Sequence, residues 1–367
     1  MKNKICLMFL ILSALFFSSC TDMDETMYDT LSPEGIDNNS TEPVDAIYTS
    51  LMGKAGTLYT FPGSEFVWMI EMSTDEVCIP IRIGGDWKDG NTYQQLQKHT
   101  WDANNKVFLS AWNYCYGIVG TCNVELKSAR YSKNQQAQIR LVRAYAYLKL
   151  LDLFGNVPLV NENFTTSGEQ MPQNSPRIDV YNFVKNELNN PIMDYLRPRR
   201  TSEVWGKSIL YALRVRLYLN SKVYSNCSED QYKLNLDTCI SNCDSVINMN
   251  KYEVTDYFKS FYVDNDLQEN SGDIICALQY DAAQGTIGNY LSCLTLSKRA
   301  GDIFGIPVLN DCVNGPCVNP GRTRDDSEAL YNIFNQNDIR RLSMITGPKD
   351  GSGNYLPLKD KSTGTDI

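Results

Sequence analysis

RAYAYLKLLDLFGNVPLV, residues 143–160, is the stretch that decides the fold. Followed back to Ala137, its apolar residues Ala137, Leu141, Ala144, Tyr145, Leu148 and Leu151 recur at steps of three and four. That is the period that lines one face of an α-helix. Gly155 supplies a C-terminal stop and Pro158 blocks continuation. The pattern predicts a helix over 137–154 whose apolar stripe packs against neighbouring helices, so this stretch is scaffold rather than site.

The same period recurs on both sides. Trp112, Cys115, Val119 and Cys122 mark a helix across about 105–128. Val180, Val184 and Leu188 mark another near 177–189. Ile209, Ala212, Leu213, Leu217 and Val223 predict a third over 203–224, and Leu236, Ile240, Cys243 and Ile247 a fourth over 234–248. Ala144 and Ala212 lie two periods of about 34 residues apart, the tetratricopeptide repeat, in which a small residue sits where helices approach closely. Leu141 then aligns with Ile209, and Leu151 with Leu219. An irregular helical bundle fits the same periodicity. Strand-like pieces are few, with Asp273–Tyr280 (DIICALQY) the best. Residues 285–367 hold 10 of the 23 glycines and 5 of the 14 prolines, so that part reads as loop-rich. Residues 41–284 read as the helical domain.

Lys2 and Lys4 precede an apolar run over residues 6–17, too short for a permanent membrane span. Residues 1–19 therefore read as a secretory signal. Ser18-Ser19 leads to Cys20, which resembles a lipobox, with Cys20 the lipid-attachment residue; Phe17 departs from the usual leucine. Residues 20–40, opening on the acidic TDMDE, read as a flexible tether. Loss of residues 1–19 makes the chain two charges more negative than its formal −9. A net charge of that sign argues against nucleic acid as a partner. Beyond Cys6 and Cys20 there are ten cysteines. Cys115 with Cys122, and Cys239 with Cys243, have helical spacing and read as buried thiols. Cys312 and Cys317 can close a small loop, and their disulfide state stays open.

His99 is the chain's one histidine, which leaves histidine-based nucleophilic catalysis and a structural zinc site with little to work with. DNDLQE at 264–269 starts like a calcium loop, but Gln268 and Glu269 stand where a ligand and a glycine belong. No metal, cofactor or catalytic residue is expected. Among 43 acidic residues some carboxylate pair always lies at glycosidase distance, so a secreted hydrolase and a helical-repeat adaptor without a small ligand remain as alternatives. The informative stretch is RIGGDWKDGNTYQQLQKHTW, residues 82–101. Its Gly84-Gly85 and Asp89-Gly90 pairs predict a loop. Trp87 and Tyr93 with Asp86, Asp89 and Asn91 supply aromatic faces and hydroxyl-pairing groups, the chemistry of a carbohydrate site. Trp87 folded inward as an anchor for its own loop is the competing reading.

These pieces, in order, resemble the SusD/RagB family of lipoproteins. The resemblance rests on Cys20 with its acidic start, GGDWKDG (84–90) running into HTW (99–101), WNYCYGIVGTCNVEL (112–126) and AQIRLVRAYAYLKLLDLFGNVPLV (137–160). It continues through DVYNFVKNEL (179–188), SILYALRVRLYLNSKVY (208–224), SVINMNKYEV (245–254), FKSF (258–261), DIICALQY (273–280) and NDIRRLSMI (337–345). It implies a mainly α, tetratricopeptide-like scaffold with a loop-rich ligand-binding face. It also implies an outer-membrane lipid anchor, an oligosaccharide ligand, and a TonB-dependent, SusC-like outer-membrane transporter as partner. The family continues with a further helical segment that this chain does not reach, so its C-terminal part is expected to be incomplete. Binding residues vary within the family, so Asp86, Trp87, Asn91 and Tyr93 stand as a region rather than as matched ligands.

Overall fold

Ser132 and Gln135 start the central helix by reciprocal capping. The Ser132 hydroxyl accepts from the Gln135 N–H at 3.2 Å, while the Gln135 side chain accepts from the Ser132 N–H at 3.1 Å. Two of the backbone donors that a helix start leaves orphaned are thereby satisfied. The helix, Lys133–Phe154, begins four residues ahead of the apolar pattern because its first turn is fixed by this box. It ends where expected, at Gly155 with φ 72, a left-handed conformation that favours glycine.

The computed structural model describes residues 44–52, 70–74, 77–78, 89–164, 171–198, 205–254, 272–276, 317–318 and 334–338. All of them lie in the unit Asn38–Ile367. In chain order the elements are α1 (Asp45–Met52), β1 (Val77–Cys78), α2 (Thr92–Lys98), α3 (Lys106–Leu126), α4 (Lys133–Phe154), β2 (Val157–Pro158), β3 (Asn174–Ser175), α5 (Arg177–Leu188), α6 (Lys207–Leu219), α7 (Ser221–Ser225), α8 (Glu229–Ile247) and β4 (Cys317–Val318). A 3-10 turn, Pro191–Tyr195, follows α5. The described architecture is mainly α, as predicted. β1 pairs antiparallel with β4, and β2 with β3, each over two residues. Asp273–Cys276 of the expected strand is not strand. The remainder of that segment, with Cys20, Asp86, Trp87, Cys312 and residues 264–269, lies outside the described residues.

The helices pack as successive hairpins of tetratricopeptide type. α3 and α4, joined by residues 127–132, lie side by side; α5 covers α4, and α8 packs along α6. The expected single stripe on α4 proves too narrow. Ile139, Val142, Ala146 and Leu150 are buried along with Leu141, Ala144, Leu148 and Leu151, because α3, α5 and the 3-10 turn cover different sides of the helix. Cys115 and Cys122 are buried thiols in the core, as their spacing predicted. Burial pushes the Cys122 thiol up to about 12, which keeps it protonated and inert.

Two expectations fail on phase. The helix predicted over 203–224 is broken at Asn220, so α7 restarts with a different face inward. Tyr224 is buried there while Val223 is 61% exposed, and Leu219, the expected partner of Leu151 in the repeat, lies at the exposed helix end. On α8 the inward residues are Asn235, Cys239 and Asn242. Ile240 and Ile247 point outward at 59% and 68% exposure. The polar inward residues are accommodated by hydrogen bonds: the Asn235 amide donates to Ser221 Oγ at 2.9 Å and the Asn242 amide to the Thr238 carbonyl at 2.7 Å.

Candidate functional site

The stretch 82–101 is not all loop. Asp89–Asn91 forms one 3-10 turn in which Gly90 and Asn91 both have φ 67, and α2 follows at once. Left-handed backbone is open to glycine and tolerated by asparagine. Asn91 occupies the N-cap position, yet its side chain makes no cap hydrogen bond and is exposed. Its amide is therefore presented outward. Tyr93 is half-buried on α2.

Asn91, Gln94, Gln95, Lys98 and Thr100 line a shallow depression of about 320 Å³. Gln94 is buried, and its Oε1 has no hydrogen-bond partner among the described residues. A buried acceptor left unpaired is costly, and such groups mark places where a ligand or water completes the bonding. The Gln95 Oε1 accepts from the Asn105 amide at 3.1 Å, which ties α2 to the start of α3. Beside the depression, His99 Nε2 donates to the Ser73 carbonyl at 2.8 Å. The histidine ring lies 5.1 Å from Trp101, which also makes a T-shaped contact with Phe108. His99 thus ends α2 in left-handed backbone and holds Trp101, a structural role. Trp101 remains 40% exposed.

The structure therefore brings Asn91 into a lined depression and places Tyr93 on the same helix. Gln94, Gln95, Lys98, Thr100 and Trp101 were missed as candidates. The signal was present: Asn91, Gln94/Gln95 and Lys98 fall at i, i+3/i+4 and i+7, one face of a helix. Reading 82–101 as loop hid that periodicity.

A second polar centre is structural. Arg143, from the stretch that opened the sequence, is 1% exposed. Its Nε and Nη2 both donate to Glu187 Oε2, at 3.1 and 3.0 Å, and its Nη1 donates to Glu162 Oε2 at 2.5 Å and Asn123 Oδ1 at 2.7 Å. Arg140 donates to the remaining oxygens, Glu187 Oε1 at 2.9 Å and Glu162 Oε1 at 3.1 Å. Tyr147 Oη accepts from the Val160 N–H and donates to its carbonyl, and Tyr116 Oη donates to the Pro158 carbonyl. Burial pushes the Tyr147 phenol up to about 12. Together these groups clamp the exit segment 155–164 to α3, α4 and α5.

Comparison with known proteins now bears on this geometry. A family profile described as SusD-like, "Starch-binding associating with outer membrane", matches residues 83–221, which hold both the depression and the clamp. The "Starch-binding protein SusD" of Bacteroides thetaiotaomicron is 32% identical over 263 residues, 68% of this chain and 43% of the relative. The chain belongs to the SusD-like family. Among solved structures, a SusD superfamily protein from Parabacteroides distasonis shares the fold at TM-score 0.63 and 16% identity, covering 88% of this chain and 63% of that one. The surface glycan-binding protein A of Bacteroides uniformis does so at 0.62 and 18%, covering 88% and 66%. These identities bear on fold alone. The chain spans less than half the length of its curated SusD relative.

Proposed function

We propose that this SusD-like chain is a surface lipoprotein, anchored through Cys20, that binds oligosaccharide nutrients and hands them to a TonB-dependent, SusC-like outer-membrane transporter without chemistry of its own. The observation that carries the reading is the depression at the start of α2. It presents the Asn91 and Gln95 amides and the Lys98 ammonium beside a partly exposed Trp101, with the unpartnered Gln94 acceptor buried in its lining. Amides pair with vicinal hydroxyls and an indole face packs on a sugar's C–H face. On their place in the sequence, Asp86 and Trp87 are assigned to ligand binding together with Asn91 and Tyr93. The matched family's description, starch-binding and outer-membrane associated, supports ligand class and location. A structure described with a xylogluco-oligosaccharide is similar in fold, at TM-score 0.54 and 18% identity.

The test is calorimetric titration of the full chain with a panel of neutral oligosaccharides. The expected result is binding to at least one glycan without product release, weakened about tenfold or more by Trp87→Ala or Asn91→Ala. Unchanged affinity in both variants for every glycan bound would remove the site assignment, and turnover would remove the non-catalytic one.

A further inference from the structure

A second cavity, of about 470 Å³, lies among Lys133, Asn134, Asp194, Tyr195, Arg197 and Lys207. It shares no residue with the depression on α2. Two helices begin at it, and both begin with a lysine: α4 at Lys133 and α6 at Lys207. Neither has an acid in its first turn. The backbone dipoles place partial positive charge at a helix start, so a cation there is the unfavourable sign. Arg197 adds a third side-chain cation, and Asp194 is the one carboxylate among the described lining residues. Departures from local preference are expected at functional sites. An oxyanion is the species that would compensate both helix starts and all three cations.

The cavity is also braced. The Trp205 N–H donates to Tyr48 Oη at 2.8 Å, and Tyr48 Oη donates to Gln138 Oε1 at 3.1 Å. The Gln138 amide donates to Asn134 Oδ1 at 2.7 Å, and the Asn134 amide to the Tyr195 carbonyl at 2.8 Å. The Lys207 N–H then closes onto the Arg197 carbonyl at 3.1 Å. A largely buried chain of hydrogen bonds thus fixes the backbone on both sides of the opening, and such fixed geometry reduces the ordering cost of binding. Lys133 Nζ sits 3.0 Å from Tyr195 Oη and 4.7 Å from its ring centroid, and the tyrosine remains 47% exposed.

We propose that this cavity binds the charged group of an acidic oligosaccharide, a sugar carboxylate or sulfate ester. Lys133, Arg197 and Lys207 engage the oxyanion, and Tyr195 packs on the ring that carries it. The volume is that of a pocket for a whole small molecule rather than a bare ion, and Tyr195, Leu196 and Pro198 give it an apolar side. The proposal does not depend on the α2 depression.

Titrate the full chain with trigalacturonate, a sulfated galactose trisaccharide, neutral galactotriose and sodium sulfate, at low and high salt. At least one acidic trisaccharide should bind, weaken as salt rises, and resist competition by galactotriose. Lys133→Glu and Lys207→Glu should each lower that affinity about tenfold or more, and Ile240→Ser, on the exposed face of α8, should leave it unchanged. Because an acid at a helix start is favourable, neither reversal should lower the melting temperature, so lost binding cannot be put down to unfolding. Equal affinity in the reversed variants, or displacement by galactotriose, overturns the proposal. Sodium sulfate binding as tightly as the sulfated trisaccharide overturns the sugar assignment.

Discussion

Arg143 shows how a charged residue can be the most constrained in its helix. Its guanidinium is buried and every nitrogen is engaged, by Glu187, Glu162 and Asn123. A buried ion cluster gives little net stability over an apolar core, but removing one member strands the others. Arg143→Met should therefore lower the unfolding free energy by about 3 kcal/mol. Adding Glu187→Leu should cost less than the sum of the single changes, since the carboxylate left behind goes too. Urea unfolding of the four-member cycle measures this, and additive losses would mean that the two side chains do not act as a unit. The sequence offered no route to this role. Arg143 falls between the apolar positions Leu141 and Ala144, and a charge at such a place reads as solvated until α5 and the exit segment supply their glutamates.

At the scale of elements, boundaries followed from local chemistry and facing directions did not. Gly155 ended α4 where its backbone preference placed it, and Cys115, Val119 and Cys122 marked the buried face of α3 correctly. α8 went the other way. Its isoleucines had helical spacing, yet Asn235, Cys239 and Asn242 face inward: the Asn235 amide donates to Ser221 Oγ and the Cys239 thiol to the Val215 carbonyl of α6, while the Asn242 amide bonds back to Thr238 within α8. Periodicity reports that a helix has faces; hydrogen bonding across the interface selected which one went inward. The start of α4 was also hidden, since capping lies outside any apolar pattern. Ser132 is fully buried at that start, and Ser132→Ala should cost about 1 kcal/mol. Ile240→Ser on the outer face of α8 should stay within about 0.5 kcal/mol of the parent. Denaturant midpoints compare them directly, and a larger loss at Ile240 than at Ser132 would show that the outer face of α8 is covered in solution.

For the whole molecule, the tetratricopeptide-like scaffold was legible because it is built from local helices with strong patterns. The site was legible only as a region, because its geometry depends on where α2 sits and not on composition. The exit segment 155–164 belongs to the same class: it carries no pattern, yet it ties three helices together through Glu162, Tyr116 and Tyr147. That tie should set the acid stability of the fold. Burial alone would raise the Glu162 carboxyl, but the Arg143 hydrogen bond, its backbone bond and the charges of Arg143 and Arg140 outweigh burial and hold it below 4.5. A carboxyl whose folded value is depressed stabilises fully above its unfolded value and loses that contribution as pH falls through the folded one. Unfolding free energy should thus decline between about pH 5 and about pH 3, and more steeply in the parent than in Glu162→Gln. Acid also turns the net charge from −9 towards positive, since 34 Lys and Arg remain charged while 43 carboxylates protonate. That repulsion acts almost equally on both proteins, so the difference in slope isolates the clamp. Parallel curves would show that Glu162 is not coupled to folding.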